Sequence, residues 1–163
     1  MTSLSLDHIK RPSSLKENAP LLILLHGYGS DENDLFSFAS ELPVELFIVS
    51  AKAPYSLQPY GNACYAINFT AENEKWSDNE HAKQSRDTSA TFIDEICNKY
   101  PVNANNVSLL GFSQGCILSF AVAMTFPEKI KNVIGLSGYI NTDIFTTKTK
   151  NHYKHLNIYT SHG

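Results

Sequence analysis

The stretch NVSLLGFSQGC, Asn106 to Cys116, reads as an apolar strand running into a sharp turn with Ser113 at its apex. Its centre, GFSQG, fits the pattern G-x-S-x-G, whose glycines let a strand and a helix approach closely around a strained serine. The three fixed positions alone carry little weight, since about one chain of this length in twenty would match them by chance. The context carries more. The match follows a β-rich run and opens QGCILSFAVAMTF, Gln114 to Phe126, which is apolar almost all round and is stopped by Pro127. A helix lying under a site and against a sheet has that character. A serine hydroxyl stays a weak nucleophile until a base takes its proton and a third group orients that base.

Working outward, short β-rich runs alternate with segments of helical period, the pattern of a mostly parallel sheet flanked by helices. The runs cover 20–26, 45–54, 106–112, 132–138 and 156–161, and their nearly continuous apolar character fits strands covered on both faces. The opening SLSLDHIK alternates apolar and polar residues and suits an antiparallel strand at the sheet's margin. Between the runs, DENDLFSFASEL (31–42) starts with acids and predicts a first helix. The segment from Asn79 to Tyr100 places Ser89, Phe92, Ile93, Ile96, Cys97 and Tyr100 on one face and predicts a second, ended by Pro101. Two polar loops are long. Residues 52–77 hold three of the eight tyrosines and the single tryptophan and could wall a pocket; residues 139–155 are rich in Thr, Lys and His.

With 163 residues and 42% hydrophobic content, the chain is read as one domain, residues 1–163. A net charge of -3 with scattered Lys and Arg argues against nucleic acid as a partner. The longest apolar run, PLLILL, is far short of the ~20 residues of a membrane helix, so no membrane span is expected. The start lacks a basic region followed by an apolar one, and Cys64, Cys97 and Cys116 are odd in number and widely spaced. The expectation is a cytoplasmic protein without a disulfide framework, metal site or cofactor.

The loop LLHGYGSDEN supplies a second element of chemistry. A first parallel strand ending in His-Gly-x-Gly presents a backbone N–H toward a developing oxyanion, and the residue after the nucleophile presents another. Those donors are the amides of Tyr28 and Gln114.

With LLHGYGSDENDLF, VSAKAP, LLGFSQGC and GLSGY in that order and spacing, the chain resembles the phospholipase/carboxylesterase family of α/β-hydrolases. The resemblance runs from about Pro20 to the last residue. It implies an α/β-hydrolase fold with helices on both faces and a serine hydrolase of esters or thioesters with apolar acyl groups. Ser113 is then the nucleophile, Tyr28 and Gln114 the oxyanion amides, and His26 a brace for its loop. Where the family often carries Trp followed by Tyr or Phe, this chain has Cys64 and Tyr65, which the resemblance places on the substrate wall, widened by the smaller residue. Cys116 stands where a second glycine is usual and is read as a small buried hydrophobe.

The base and acid are harder to find. In this fold they follow the serine in the order acid, then His. Glu128 lies ~22 Å along the helix direction from Ser113, at 1.5 Å per residue. Asp143, His152 and His155 share one loop rather than successive strand ends. His152 and His155 also form H-x-x-H without a third ligand nearby, and His162 belongs to a His-Gly turn that the family shows after this strand. The expectation is that acid and base lie beyond Gly163, with a last strand and helix, so that the 163 residues are a nearly inactive portion of a hydrolase. An exposed sheet edge would then invite self-association. A non-catalytic ligand-binding module and an unstable fragment are the alternatives.

Overall fold

The computed structural model describes residues 3–69 and 75–163. In chain order the elements are β1 (His8–Arg11), β2 (Ala19–Leu25), α1 (Asn33–Phe36), β3 (Phe47–Ala51), β4 (Tyr55–Ser56), β5 (Asn62–Ala63), β6 (Ile67–Phe69), β7 (Lys75–Ser77), α2 (Asn79–Lys99), β8 (Val102–Phe112), α3 (Gln114–Thr125), β9 (Asn132–Leu136) and β10 (Asn157–Ser161). The strands β1-β3-β2-β8-β9-β10, in that order, form a six-stranded sheet. Only β1 is antiparallel, pairing with β3 at the margin as its alternating sequence predicts. In the chain between β3 and α2, β4 pairs antiparallel with β5 and β6 with β7. Of the expected pocket-wall segment 52–77, residues 70–74 lie outside the described residues.

Alternation along β2 sorts its side chains. Leu21, Ile23 and Leu25 join Phe92, Ile93 and Ile96 of α2 and Leu118, Ala121 and Val122 of α3 in the main core. Leu22 and Leu24 face the other way, onto Ala39, Ile48 and the α1 side chains Leu35 and Phe36. Helices therefore cover both faces, unequally. α2 begins where Asp78 accepts a hydrogen bond from the His81 N–H, and its buried face holds Ser89, Phe92, Ile93 and Ile96 at the expected spacing. Tyr100 is its C-cap rather than part of the stripe.

The first predicted helix is shorter than its sequence indicated. Residues 31–42 form the four-residue α1 and a separate single turn, Ala39–Glu41. Pro43 has no N–H to offer the Ala39 carbonyl, so a continuing helix would leave that oxygen orphaned. Arg11 of β1 instead donates to the carbonyls of Ala39, Leu42, Pro43 and Leu46, which fixes the turn in a non-helical course.

The chain passes from β2 to β3 on one side and returns through α2 to β8 on the other, so strand order reverses between β2 and β8. In open parallel sheets ligands bind at the carboxyl ends of the strands at such a reversal. Leu25 of β2 lies opposite Gly111 of β8 in register. The loop from His26 and the turn at Ser113 therefore emerge side by side. At the opposite margin β10 pairs with β9 and with no other strand among the described residues, and every residue of β10 is exposed.

Candidate active site

Ser113 sits between the last residue of β8 and the first of α3 with φ 54° and ψ -115°, a conformation that non-glycine residues rarely adopt. Such a backbone costs on the order of 1–3 kcal/mol and persists only where its surroundings over-determine it. Here the Ser113 N–H donates to the Leu136 carbonyl of β9 (2.8 Å), and the Ser113 carbonyl accepts from the N–H groups of Cys116 and Ile117 (3.0 and 3.1 Å). Both glycines of the motif are needed on steric grounds. A Cβ at Gly111 would lie 2.3 Å from the Gly115 carbonyl oxygen, and one at Gly115 would lie 2.0 Å from that of Leu25. The serine side chain remains half-buried, at the surface end of the turn.

The loop after β2 adjoins this turn. A methyl group at Gly27 would be 3.4 Å from Ser113 Cβ and 3.2 Å from the Phe112 ring. Gly29 takes φ 80°, which glycine adopts without penalty, and its N–H donates to the Asn62 carbonyl (2.9 Å) while the Asn62 N–H donates to Ser30 (2.8 Å). Between these anchors stands Tyr28, its side chain exposed. Neither the Tyr28 nor the Gln114 N–H has a backbone acceptor among the described residues. For Gln114 this follows from its place in the first turn of α3, where N–H groups have no intrahelical partner.

His26 is 2% exposed. Its Nδ1–H donates to the Gly27 carbonyl (2.8 Å) and its Nε2 accepts from the Ala53 N–H (3.0 Å), which fixes the tautomer and leaves no free lone pair for a serine proton. It braces the loop, as the sequence indicates.

Cys64 and Tyr65 are brought up against α3, at 3% and 1% exposure, inside the main core rather than on an open wall. What joins them to the serine turn is the Gln114 carboxamide: its Oε1 accepts from the Cys64 N–H (2.8 Å) and its Nε2–H donates to the Tyr65 carbonyl (2.9 Å). Sequence reasoning assigned a role only to the Gln114 backbone. The Cys64 carbonyl in turn accepts from Ser85 Oγ of α2.

Burial pushes the Cys64 thiol up to about 12 and raises the Tyr65 phenol well above its ordinary range. Cys116, packed on Gly135 and Gly138, is also raised by burial, partly offset by the Gly138 backbone. A consequence can be measured. In the unfolded chain the Cys64 thiol ionises near 9.0, whereas the folded chain holds its proton to about 12. Above pH 9 the unfolded state binds fewer protons, so stability present below that pH is lost progressively across the window. Thermal melts from pH 8 to 11 should show a falling midpoint, with a shallower fall in Cys64→Ala.

Among the described residues no hydrogen bond joins the remaining histidines to Ser113. His8 Nε2 contacts the Tyr100 hydroxyl (3.1 Å), and His81 stacks on Tyr55 with its Nδ1 3.5 Å from Asp78. His152 Nδ1 contacts Thr149 Oγ1 (2.7 Å), while His155 Nε2–H donates to the Pro127 and Ile130 carbonyls at the far end of α3. The two members of H-x-x-H are thereby spent separately, and among the described residues no group of three or more His, Cys, Asp or Glu is placed to hold a metal ion. His162 follows the edge strand β10 and donates to Gly163. Asp143 lies in an exposed turn beside α2, and Glu128 at the distal end of α3.

A model of the phospholipase/carboxylesterase family matches residues 8–163. Acyl-protein thioesterase 1 of Candida albicans is 27% identical over 148 residues, which are 83% of this chain and 64% of that protein. The chain thus spans somewhat less than two thirds of that relative's length. Among solved structures, esterase PE8 superposes with a TM-score of 0.70 at 25% identity over 85% of this chain and 66% of its own. The carboxylesterase of Bacillus cereus has a TM-score of 0.75 over 96% of this chain and 85% of its own; at 16% identity it speaks to the fold alone.

Proposed function

The chain belongs to the phospholipase/carboxylesterase family of α/β-hydrolases, and from that premise we propose that it supplies the nucleophile half of a serine esterase or thioesterase site. One observation carries the reading: the strained Ser113 turn stands beside two unengaged amides, at the point where strand order reverses. Ser113 Oγ attacks the acyl carbonyl carbon, the carbonyl π pair moves onto oxygen, and the N–H groups of Tyr28 and Gln114 receive that oxyanion. The base of the complete site takes the Ser113 proton and returns it to the leaving group, so that collapse expels the alcohol or thiol and leaves an acyl-serine that water hydrolyses. The chemistry requires neither metal nor cofactor.

An apolar acyl group fits the exposed side chains of Tyr28, Phe112, Tyr139 and Ile140, which belong to the segments meeting at Ser113. Both ring nitrogens of His26 are committed to backbone groups and no described contact joins another histidine to Ser113, so the acid and base of the triad are assigned to residues other than these 163, which act as one α/β-hydrolase unit of low activity by themselves. Among the described residues no helix is long and apolar enough to cross a membrane; the free cysteines suit action in the cytoplasm. The open edge of β10 favours self-association at high concentration.

Hydrolysis of p-nitrophenyl butyrate by the wild-type chain and by Ser113→Ala tests the proposal. Slow release that the substitution removes supports it. Equal release by both proteins would overturn it in favour of a binding module that has kept the scaffold without the chemistry.

A further inference from the structure

The Cys64–Tyr65 segment is not held by the central sheet. Its own polar attachments are the Gln114 carboxamide on α3 and the Ser85 hydroxyl on α2; on either side of it, Asn62 and Ala63 pair with β4 and with the loop after β2, and the Ala66 carbonyl accepts from the Asp78 N–H. Gln114 is the point where that segment meets the serine turn, across 50 positions of sequence. At 2% exposure its amide has no access to compensating water. The demand made of it is specific, because it must present an acceptor to the Cys64 N–H and a donor to the Tyr65 carbonyl at the same time. Among side chains of this length only a carboxamide, or a protonated carboxylic acid, does both.

We propose that the Gln114 side chain is a positioning residue that locks the buried Cys64–Tyr65 segment to the nucleophile turn, so that the residue offering an oxyanion N–H is itself held from its side chain. This deepens the functional reading above and rests on it for the word oxyanion; the lock itself does not. Slackening the segment loosens the seat of that N–H without removing the serine.

The test uses Gln114→Met, which keeps the shape and removes both hydrogen bonds, and Gln114→Glu. In the second, the ionised carboxylate repels the Tyr65 carbonyl and is a buried charge without a counterion, so relieving it requires the segment to open and expose the Cys64 N–H, whereas the protonated acid restores both bonds. The primary readout is hydrogen-exchange protection of the Cys64 amide, corrected for intrinsic rates and expressed relative to wild type at the same pH. Gln114→Met is expected to lose about 10- to 100-fold of protection at every pH, the range for a buried group left without its partner. Gln114→Glu should show the loss at pH 8 and recover most of it near pH 4.5. That pH-dependent rescue would not follow from mere disturbance of packing. Unchanged protection in Gln114→Met, or a Gln114→Glu profile parallel to wild type, would overturn the lock. If Gln114→Met does not fold, the two-pH comparison in Gln114→Glu decides.

A second readout is the rate of Ser113-dependent hydrolysis of p-nitrophenyl butyrate, which should fall in Gln114→Met because the residue carrying the oxyanion N–H loses its side-chain anchors. An unchanged rate with lost protection would overturn the coupling of the lock to the site. Absence of any Ser113-dependent hydrolysis in the wild type would count against the esterase reading, and the exchange data would still decide the lock.

Discussion

Gly115→Ala should lower the thermal midpoint by roughly 4–8 °C, although alanine is the better helix former. The added Cβ would lie 2.0 Å from the Leu25 carbonyl oxygen, 2.5 Å from its carbon and 2.7 Å from the His26 oxygen. These are backbone atoms at the centre of the sheet, with no side chain able to swing aside. Unstrained heavy-atom contacts lie near 3.5 Å, so α3 must withdraw by roughly 1 Å or more. Overpacking of this kind costs about 3 kcal/mol. Removing a helical glycine returns about 1 kcal/mol. The difference, about 2 kcal/mol, converts to the stated shift at 2–4 °C per kcal/mol for a chain of this size. Gly29→Ala is a useful comparison, because its Cβ meets nothing within 4 Å and only its φ of 80° is strained. Calorimetry of both variants checks the ordering. A Gly115→Ala protein as stable as wild type would mean that the close approach of α3 to β2 is not real.

The second large effect concerns rate and its pH dependence. Without a histidine at Ser113, the 163-residue chain should accelerate p-nitrophenyl butyrate hydrolysis by no more than the ~10³–10⁴-fold over water that an oxyanion hole and binding provide without a complete triad. A rate limited by deprotonation of the serine without a base should rise with hydroxide concentration and show no inflection near the ordinary histidine value of about 6.5. His26 is the residue most open to challenge, because it lies on the loop beside the serine. Both of its ring nitrogens are committed to backbone groups. His26→Gln should therefore destabilise the protein while leaving the shape of the pH profile unchanged. An inflection near 6.5 that His26→Gln abolishes would place the base on the loop after β2 and contradict the account.

Much of this architecture is readable before any coordinates, for physical reasons that differ by element. GFSQG declares itself because sterics at Gly111 and Gly115 admit no other residue without movement, so spacing and geometry coincide. α2 is legible because Asp78 caps it, Pro101 ends it and Phe92, Ile93 and Ile96 repeat at helical period. The first helix misleads because its pattern is local, whereas the groups that interrupt it, Pro43 and the Arg11 guanidinium, act from outside the window. β8 begins at Val102 rather than Asn106 because Ala19 pairs with Val102 ahead of a register shift, an attachment that the polar NANN residues conceal. Residues 139–155 read as a polar loop, yet Ile144 is fully buried and its carbonyl accepts from Arg86 of α2 (2.7 Å). The Gln114 carboxamide was illegible for the same reason: its partners lie 49 and 50 positions away, and nothing local to GFSQG indicates them.

Covalent labelling bears most directly on Ser113 as the nucleophile. The chain is incubated with a fluorophosphonate for a time long enough for slow reaction, then digested, and the modified residue is located by mass spectrometry. The account predicts a single dominant adduct on the peptide containing Ser113, absent from Ser113→Ala. An adduct distributed over other serines and tyrosines, or undiminished in Ser113→Ala, would contradict it.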